Sequence, residues 1–396
     1  MSVKPELLFL AHRIPYPPDK GDKIRSWRVF EYLRARFRVH LGCFIDDPAD
    51  KRYKEYLESY CESAFIADLD PRLARMSALR AFASGAPLSF AYFHSRRLAQ
   101  WIDAVRARPL AAEFAFSSSM APYLEKSAGG RPRFVDLCDA DSAKWREYAA
   151  QRSWPMSQVY RREARLLERE ERRIINWADA AFAISEAEAE TLGARAWFGN
   201  GVDADYFDPY ADFDMTSNGA EFVFVGAMDY WANIDAVQWF ANDVWPLIRA
   251  RAPESRFAIV GARPASAVRA LEQRDGICVV GRVPDVRPYI AKAKAVVAPM
   301  RIARGVQNKV LEAMAMGRPV AATTAAATGI ECTTGDDIVI ANAADDFAST
   351  CVALLEDNVR GDRIGRRARA RMQSQYAWPT QLARLQTALD AHIEAS

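Results

Sequence analysis

The chain is predicted to be an α/β protein built from two Rossmann-like, doubly wound domains in tandem. Three observations carry this. Short aliphatic or β-branched runs alternate with helical patterns almost from end to end, the mark of open parallel sheets. At 396 residues the chain exceeds one comfortable core and suits two domains. The alternation also restarts after a polar, strand-poor stretch, 203–218.

In the first half, strands are expected at Leu7–His12, Val39–Ile45, Phe65–Leu69, Glu113–Ser117, Phe134–Cys138 and Ala180–Ser185. Helices are expected at Lys23–Arg36, Ala49–Cys61 and Ser95–Arg108. A long helix dense in Arg and Glu spans about 156–177, with Leu166, Leu167, Ile174, Ile175 and Trp177 as its apolar positions. Its charges nearly balance, so an ion-paired solvated face is favoured over a membrane-binding one. In the second half, strands are expected at Phe222–Val225, Phe257–Val260, Ile277–Val280, Ala295–Ala298, Val320–Thr323 and Ile338–Ile340, followed by an Arg-rich helix at 359–372. The expected division is an N-terminal domain over 1–200, a C-terminal domain over 201–375, and a final helix, 376–396, packing back on the first.

Composition narrows the function. Half the residues are hydrophobic and about a quarter charged, and the net charge is only +2, which gives no argument for nucleic acid. Residues 1–200 hold 32 Lys and Arg against 27 Asp and Glu; residues 201–396 hold 21 against 24. The six cysteines are scattered without C-x-x-C or companion histidines, which speaks against a zinc site and for reduced thiols in a cytoplasmic protein. No apolar run approaches the roughly 20 residues that span a bilayer. The expectation is a cytoplasmic protein, with a peripheral contact at the inner membrane face left open.

The segment 299–320, PMRIARGVQNKVLEAMAMGRPV, is the most informative. A buried-type strand ends in a loop carrying Arg301, Arg304 and Gly305, and a helix then opens with Asn308, Lys309 and Glu312 crowded on one face. Free N–H groups and the positive end of the dipole make a helix N-terminus an anion site. Arg301, Arg304 and Lys309 would strengthen it for a diphosphate, and Glu312 could accept hydrogen bonds from sugar hydroxyls. The plainer alternative is an amphipathic helix with a solvated Lys and Glu on its flank.

Other residues carry paired readings. Gly21 lies in a Pro-rich loop after strand one and allows close backbone approach to phosphate or sugar, or makes an ordinary turn. Arg25 is an acceptor or phosphate contact, or a surface residue. Asp136, Asp139 and Asp141 gather at a strand end; Asp141 or Ser142 may only cap the next helix, whereas Asp139 is the better candidate to bind or deprotonate an acceptor hydroxyl. His12 points to the same region, although a lone histidine is more often structural.

Taken in order, Arg13–Arg25 (RIPYPPDKGDKIR), Val135–Trp145 (VDLCDADSAKW), Ile184–Glu188, Asn200–Asp203, Gly226–Tyr230 and 299–320 resemble the GT-B glycosyltransferases of family 4. The likeness is nearest to the sugar transferases of PEP-CTERM/exosortase exopolysaccharide clusters, and it covers nearly the whole chain. It implies transfer from a UDP- or GDP-sugar bound by the C-terminal domain to a polyprenyl-linked or oligosaccharide acceptor bound by the N-terminal one, across a shared cleft. Retention of configuration, no metal and no cofactor are implied too. Glu312 matches the second glutamate of the family's E-x7-E motif, which holds the ribose. Arg304 stands where the first glutamate falls, so donor-sugar recognition must differ. After Phe222–Val225 the usual cations are missing around Gly226; Lys309 and Arg301 could supply that charge. Arg282 lies where the family packs the nucleobase. A nucleotide-sugar epimerase of the same fold and a non-catalytic nucleotide-sugar-binding subunit are the alternatives. A nicotinamide oxidoreductase is disfavoured, because neither half opens with G-x-G-x-x-G.

Overall fold

A computed structural model describes residues 4–393 except 71, 73–75, 77–80, 83–84, 128–129, 151, 214–218 and 304. The chain forms two compact units, one of residues 1–199 with 382–396 and the other of residues 200–381.

The first unit is built on a seven-stranded sheet in the order β3-β2-β1-β4-β5-β6-β7, parallel throughout. Its strands are β1 (Glu6–Ala11), β2 (Arg38–Ile45), β3 (Ser63–Asp68), β4 (Leu110–Phe116), β5 (Arg133–Cys138), β6 (Ala180–Ala183) and β7 (Ala196–Trp197). Leu7 to Ala11 and Ala112 to Phe116 are wholly buried, as expected of central strands covered by helices on both faces. Phe114 stacks with Phe134 and Phe182, at 6.4 and 6.3 Å between ring centroids. The helix Trp378–Ile393 returns the chain to this unit: His392 meets the Phe134 ring edge-on, and the Arg384 guanidinium lies 3.3 Å above the Trp197 ring.

The second unit holds a six-stranded parallel sheet in the order β10-β9-β8-β11-β12-β13. Its strands are β8 (Phe222–Val225), β9 (Phe257–Val260), β10 (Ile277–Gly281), β11 (Ala295–Ala298), β12 (Val320–Ala322) and β13 (Val339–Ile340). Both sheets therefore reverse direction of winding once, between β1 and β4 and between β8 and β11. In open α/β sheets such switch points, beyond the strands' C-terminal ends, are where ligands bind.

One expected helix differs. The helix expected over Ala49–Cys61 is a 3-10 segment, Pro48–Tyr53, followed by one short α-helix, Lys54–Glu58. Asp47 caps the tighter turn by accepting from the Ala49 N–H, with Pro48 at the first position. The long helix does run from Met156 to Trp177. Among the described residues no helix is long and apolar enough to cross a membrane.

Candidate functional site

In the first unit, the residues that follow β1, β2, β4 and β5 form a polar rim. His12 Nε2 lies 3.2 Å from Asp22 Oδ2, and Arg13 reaches the same oxygen at 3.0 Å and Asp46 at 3.4 Å. Burial alone would raise the Asp22 carboxyl, yet the His12 hydrogen bond and the Arg13 charge hold it well below the usual carboxylate range. Asp139 has no such partner. Burial pushes it up to about 6; nearby Lys144 opposes the rise, while Asp141 and Glu188 add to it. Its Oδ1 is buried without a hydrogen bond. A carboxyl titrating there is suited to take a proton near neutral pH.

Arg25 is corrected by the structure: it is neither a ligand contact nor a surface residue. It is fully buried, donates to both oxygens of Asp136 at 2.7 and 3.1 Å and to the Phe198 carbonyl at 3.1 Å, and stacks 3.8 Å over the Phe198 ring. A buried guanidinium survives only with such full pairing, so Arg25 ties the first helix to β5. Gly21 is corrected as well, from loop residue to first residue of the helix Gly21–Arg36. Nor is the helix Asp141–Ala150 capped by its own first residues. Glu171 accepts from the Ser142 N–H at 2.8 Å, Glu188 accepts from the Ala140 N–H at 3.1 Å, and Asp141 instead accepts from the Ser118 hydroxyl.

In the second unit, the helix after β11 spans Asn308–Ala315 and buries Val310, Leu311, Ala313, Met314 and Ala315. That anchoring fixes the direction of its other face. Gln307 precedes it with extended backbone and makes no side-chain cap, though its carbonyl accepts from the Val310 N–H at 2.9 Å, so among the described residues the earlier first-turn N–H groups are left for solvent or a ligand. The approach to the helix turns at Gly305, which is buried with φ of 59°, a left-handed conformation that favours glycine.

Lys309 and Glu312 stand on the open face, both only partly exposed. The Lys309 ammonium donates to Asn233 Oδ1 at 2.6 Å, lies 4.8 Å over the Phe224 ring and comes within 3.7 Å of Met300 Sδ. Burial lowers it to about 8, partly offset by the charge of Glu312. Burial likewise raises Glu312 to about 7, with Lys309 opposing. They are not an ion pair within 4.0 Å, and the Glu312 carboxylate has no hydrogen-bond partner among the described residues.

Asn233, which sequence reasoning missed, organises the site. It is 4% exposed; its Nδ2 donates to the Ala227 carbonyl at 2.9 Å while its Oδ1 receives Lys309. One amide thus couples the loop after β8 to the helix after β11. A Cβ on Gly226 would lie 2.8 Å from that amide nitrogen, and one on Gly261 only 1.6 Å from the Gly226 carbonyl oxygen, so the loops after β8 and β9 pass backbone to backbone. Asn200, named in the sequence only as part of the Asn200–Asp203 segment, donates to Asn308 Oδ1 at 2.9 Å; Asn308 serves as a tie to the start of the unit. The expectation that Arg301 offers a spare cation is corrected: Asp235 accepts from its Nε at 3.0 Å and from its Nη2. Arg282 is exposed beyond β10. Arg304 lies outside the described residues.

This geometry, a cation and an unpaired carboxylate at an uncapped helix start beside a glycine loop, sits within the segment that known families recognise. Residues 219–357 match the family model described as Glycosyl transferases group 1. Solved structures resemble the chain over almost its full length, among them the following three. HepE of Anabaena in complex with UDP and glucose is 16% identical over 97% of this chain and 99% of its own, with a TM-score of 0.66. Sucrose-phosphate synthase of Thermosynechococcus elongatus is 16% identical over 99% and 100%, with a TM-score of 0.72. WaaG, a glycosyltransferase involved in lipopolysaccharide biosynthesis, is 13% identical over 97% and 99%, with a TM-score of 0.65. The chain has the two-domain GT-B fold. A search of curated proteins gives no match. The group 1 segment contains Gly226, Asn233, Arg282, Arg301, Asn308, Lys309 and Glu312.

Proposed function

We propose that the chain is a glycosyltransferase that moves a sugar from a UDP- or GDP-sugar to a hydroxyl of a polyprenyl-linked or oligosaccharide acceptor in exopolysaccharide assembly. The second unit takes the donor and the first the acceptor. The observation that carries this is the Lys309–Glu312 face: a desolvated ammonium and an unpartnered carboxylate on the first turns of an uncapped helix, in the segment matching the group 1 glycosyl transferases.

Lys309 and the helix N–H groups meet the diphosphate, Glu312 accepts from the ribose hydroxyls, the Gly226 backbone lies against the phosphates, and Arg282 flanks the base. As the bond from C1 to the diphosphate breaks, the leaving group takes the electron pair, and charge builds where Lys309 and the helix dipole already point. The acceptor oxygen forms the new bond to C1 while Asp139, titrating near 6, takes its proton. For configuration to be retained, the acceptor oxygen reaches C1 on the same face that the diphosphate leaves; no metal takes part in the proposed step.

The test is a panel of UDP- and GDP-sugars, with nucleotide release and product analysis. Turnover of at least one donor is expected, and Lys309→Ala and Glu312→Ala should each lower it at least tenfold with unchanged melting. Full turnover in both folded variants would refute the assignment, and a donor returned only as its epimer would favour the epimerase.

A further inference from the structure

The polar rim of the first unit is continuous across four strands. From the end of β2 to the end of β4 it runs Asp46, Arg13, Asp22, His12, Ser117 and Ser119, each in contact with the next. His12 Nδ1 lies 3.4 Å from the Ser117 hydroxyl, which lies 3.3 Å from the Ser119 hydroxyl. Between them in sequence, Ser118 donates at 2.8 Å to Asp141, beyond the end of β5, and the Asp141 charge acts on Asp139.

Three of the buried polar atoms that lack a hydrogen-bond partner belong to this rim: Asp46 Oδ1, Arg13 Nε and Asp139 Oδ1. A buried polar atom without a partner is costly and favours a ligand that supplies one. The three lie beyond the ends of β2, β1 and β5, on either side of the β1/β4 switch point, where open α/β sheets bind ligands.

The charges say which ligand. The carboxylates of Asp22, Asp46, Asp139 and Asp141 line the rim, and its one arginine, Arg13, is already divided between Asp22 and Asp46. Lys20 and Lys144 act on Asp22 and Asp139, and Arg25 is spent on Asp136. Carboxylates accept hydrogen bonds from hydroxyls and repel phosphate oxygens.

We propose that this rim is the acceptor subsite, that it takes a neutral sugar residue through its hydroxyls, and that Asp46 and Ser117 determine that specificity. A phosphate monoester is not its substrate. The enzyme therefore elongates: a preceding transfer must have placed a first, uncharged sugar on the carrier. This rests on the acceptor role proposed for the first unit.

The test needs no donor. Saturation-transfer NMR is recorded on octyl glycosides of glucose, galactose, mannose and N-acetylglucosamine, and on octyl phosphate, each added to the full chain without nucleotide. Sugar ring-proton signals are expected from at least one glycoside, with little signal from octyl phosphate. Asp46→Asn and Ser117→Ala should each cut the ring-proton signal at least fivefold while melting and UDP binding stay as in the parent. Either variant suffices if the other fails to fold. Absence of ring-proton signals from every glycoside, octyl phosphate as the stronger ligand, or signals unchanged in the folded variants would overturn the proposal. Loss of UDP binding with ring-proton signals intact would count against the donor site alone.

Discussion

Because burial holds Lys309 near 8, nucleotide affinity should depend on pH just where most lysines are inert. The charged ammonium is the form that meets a diphosphate. With a free-state pKa of about 8, it is about nine-tenths protonated at pH 7 and about one-tenth at pH 9. A bound diphosphate favours the charged form and raises this pKa, so binding takes up a proton above pH 8 and weakens as pH rises. The dissociation constant for UDP should therefore increase about tenfold between pH 7 and pH 9, equivalent to about 1.4 kcal/mol. Lys309→Arg keeps a charge that does not titrate, while Glu312, raised to about 7, titrates in both proteins, so the parent-to-variant ratio isolates Lys309 from Glu312 and from the nucleotide and should rise about tenfold over this range. Isothermal calorimetry at constant ionic strength measures both. The same slope in parent and variant would refute the placement of Lys309 against the phosphates.

Other outcomes follow from named contacts. Asn233→Ala removes the hydrogen bonds to Lys309 and Ala227 and should weaken UDP binding about threefold to thirtyfold in calorimetry, with a loss of about 1–2 kcal/mol in the unfolding of the second unit. Gly261→Ala places a methyl against the Gly226 carbonyl; the loops must separate, at a cost of about 1–3 kcal/mol, visible as a lower melting point and weaker nucleotide binding together. Arg25→Ala leaves Asp136 buried and uncompensated and should destabilise the first unit by about 3–5 kcal/mol in urea unfolding, while the second unit's transition stays in place.

Much of the sheet was legible because buried parallel strands read as aliphatic runs. Phe222–Val225, Phe257–Val260 and Ala295–Ala298 coincide with β8, β9 and β11. The two-residue β7, Ala196–Trp197, lacks the aliphatic run that made the equally short β13 visible at Ile338–Ile340. At the site, Lys309 and Glu312 could be singled out because helical spacing brings residues three apart onto one face. Arg25 could not be placed: its partner Asp136 is 111 residues away, joined by strand order rather than by local spacing. Asn233 was missed for the same reason, since it meets Lys309 across 76 residues. Arg301 looked available only because Asp235, 66 residues earlier, is invisible to local reading.

Hydrogen–deuterium exchange of the full chain with and without UDP tests the central claim most directly. Protection is expected at the amides of residues 305–312 and of the Gly226–Tyr230 loop, where the uncapped helix start and the glycine turn lie. Protection confined to the first unit, or none in these two segments at saturating UDP, would contradict it.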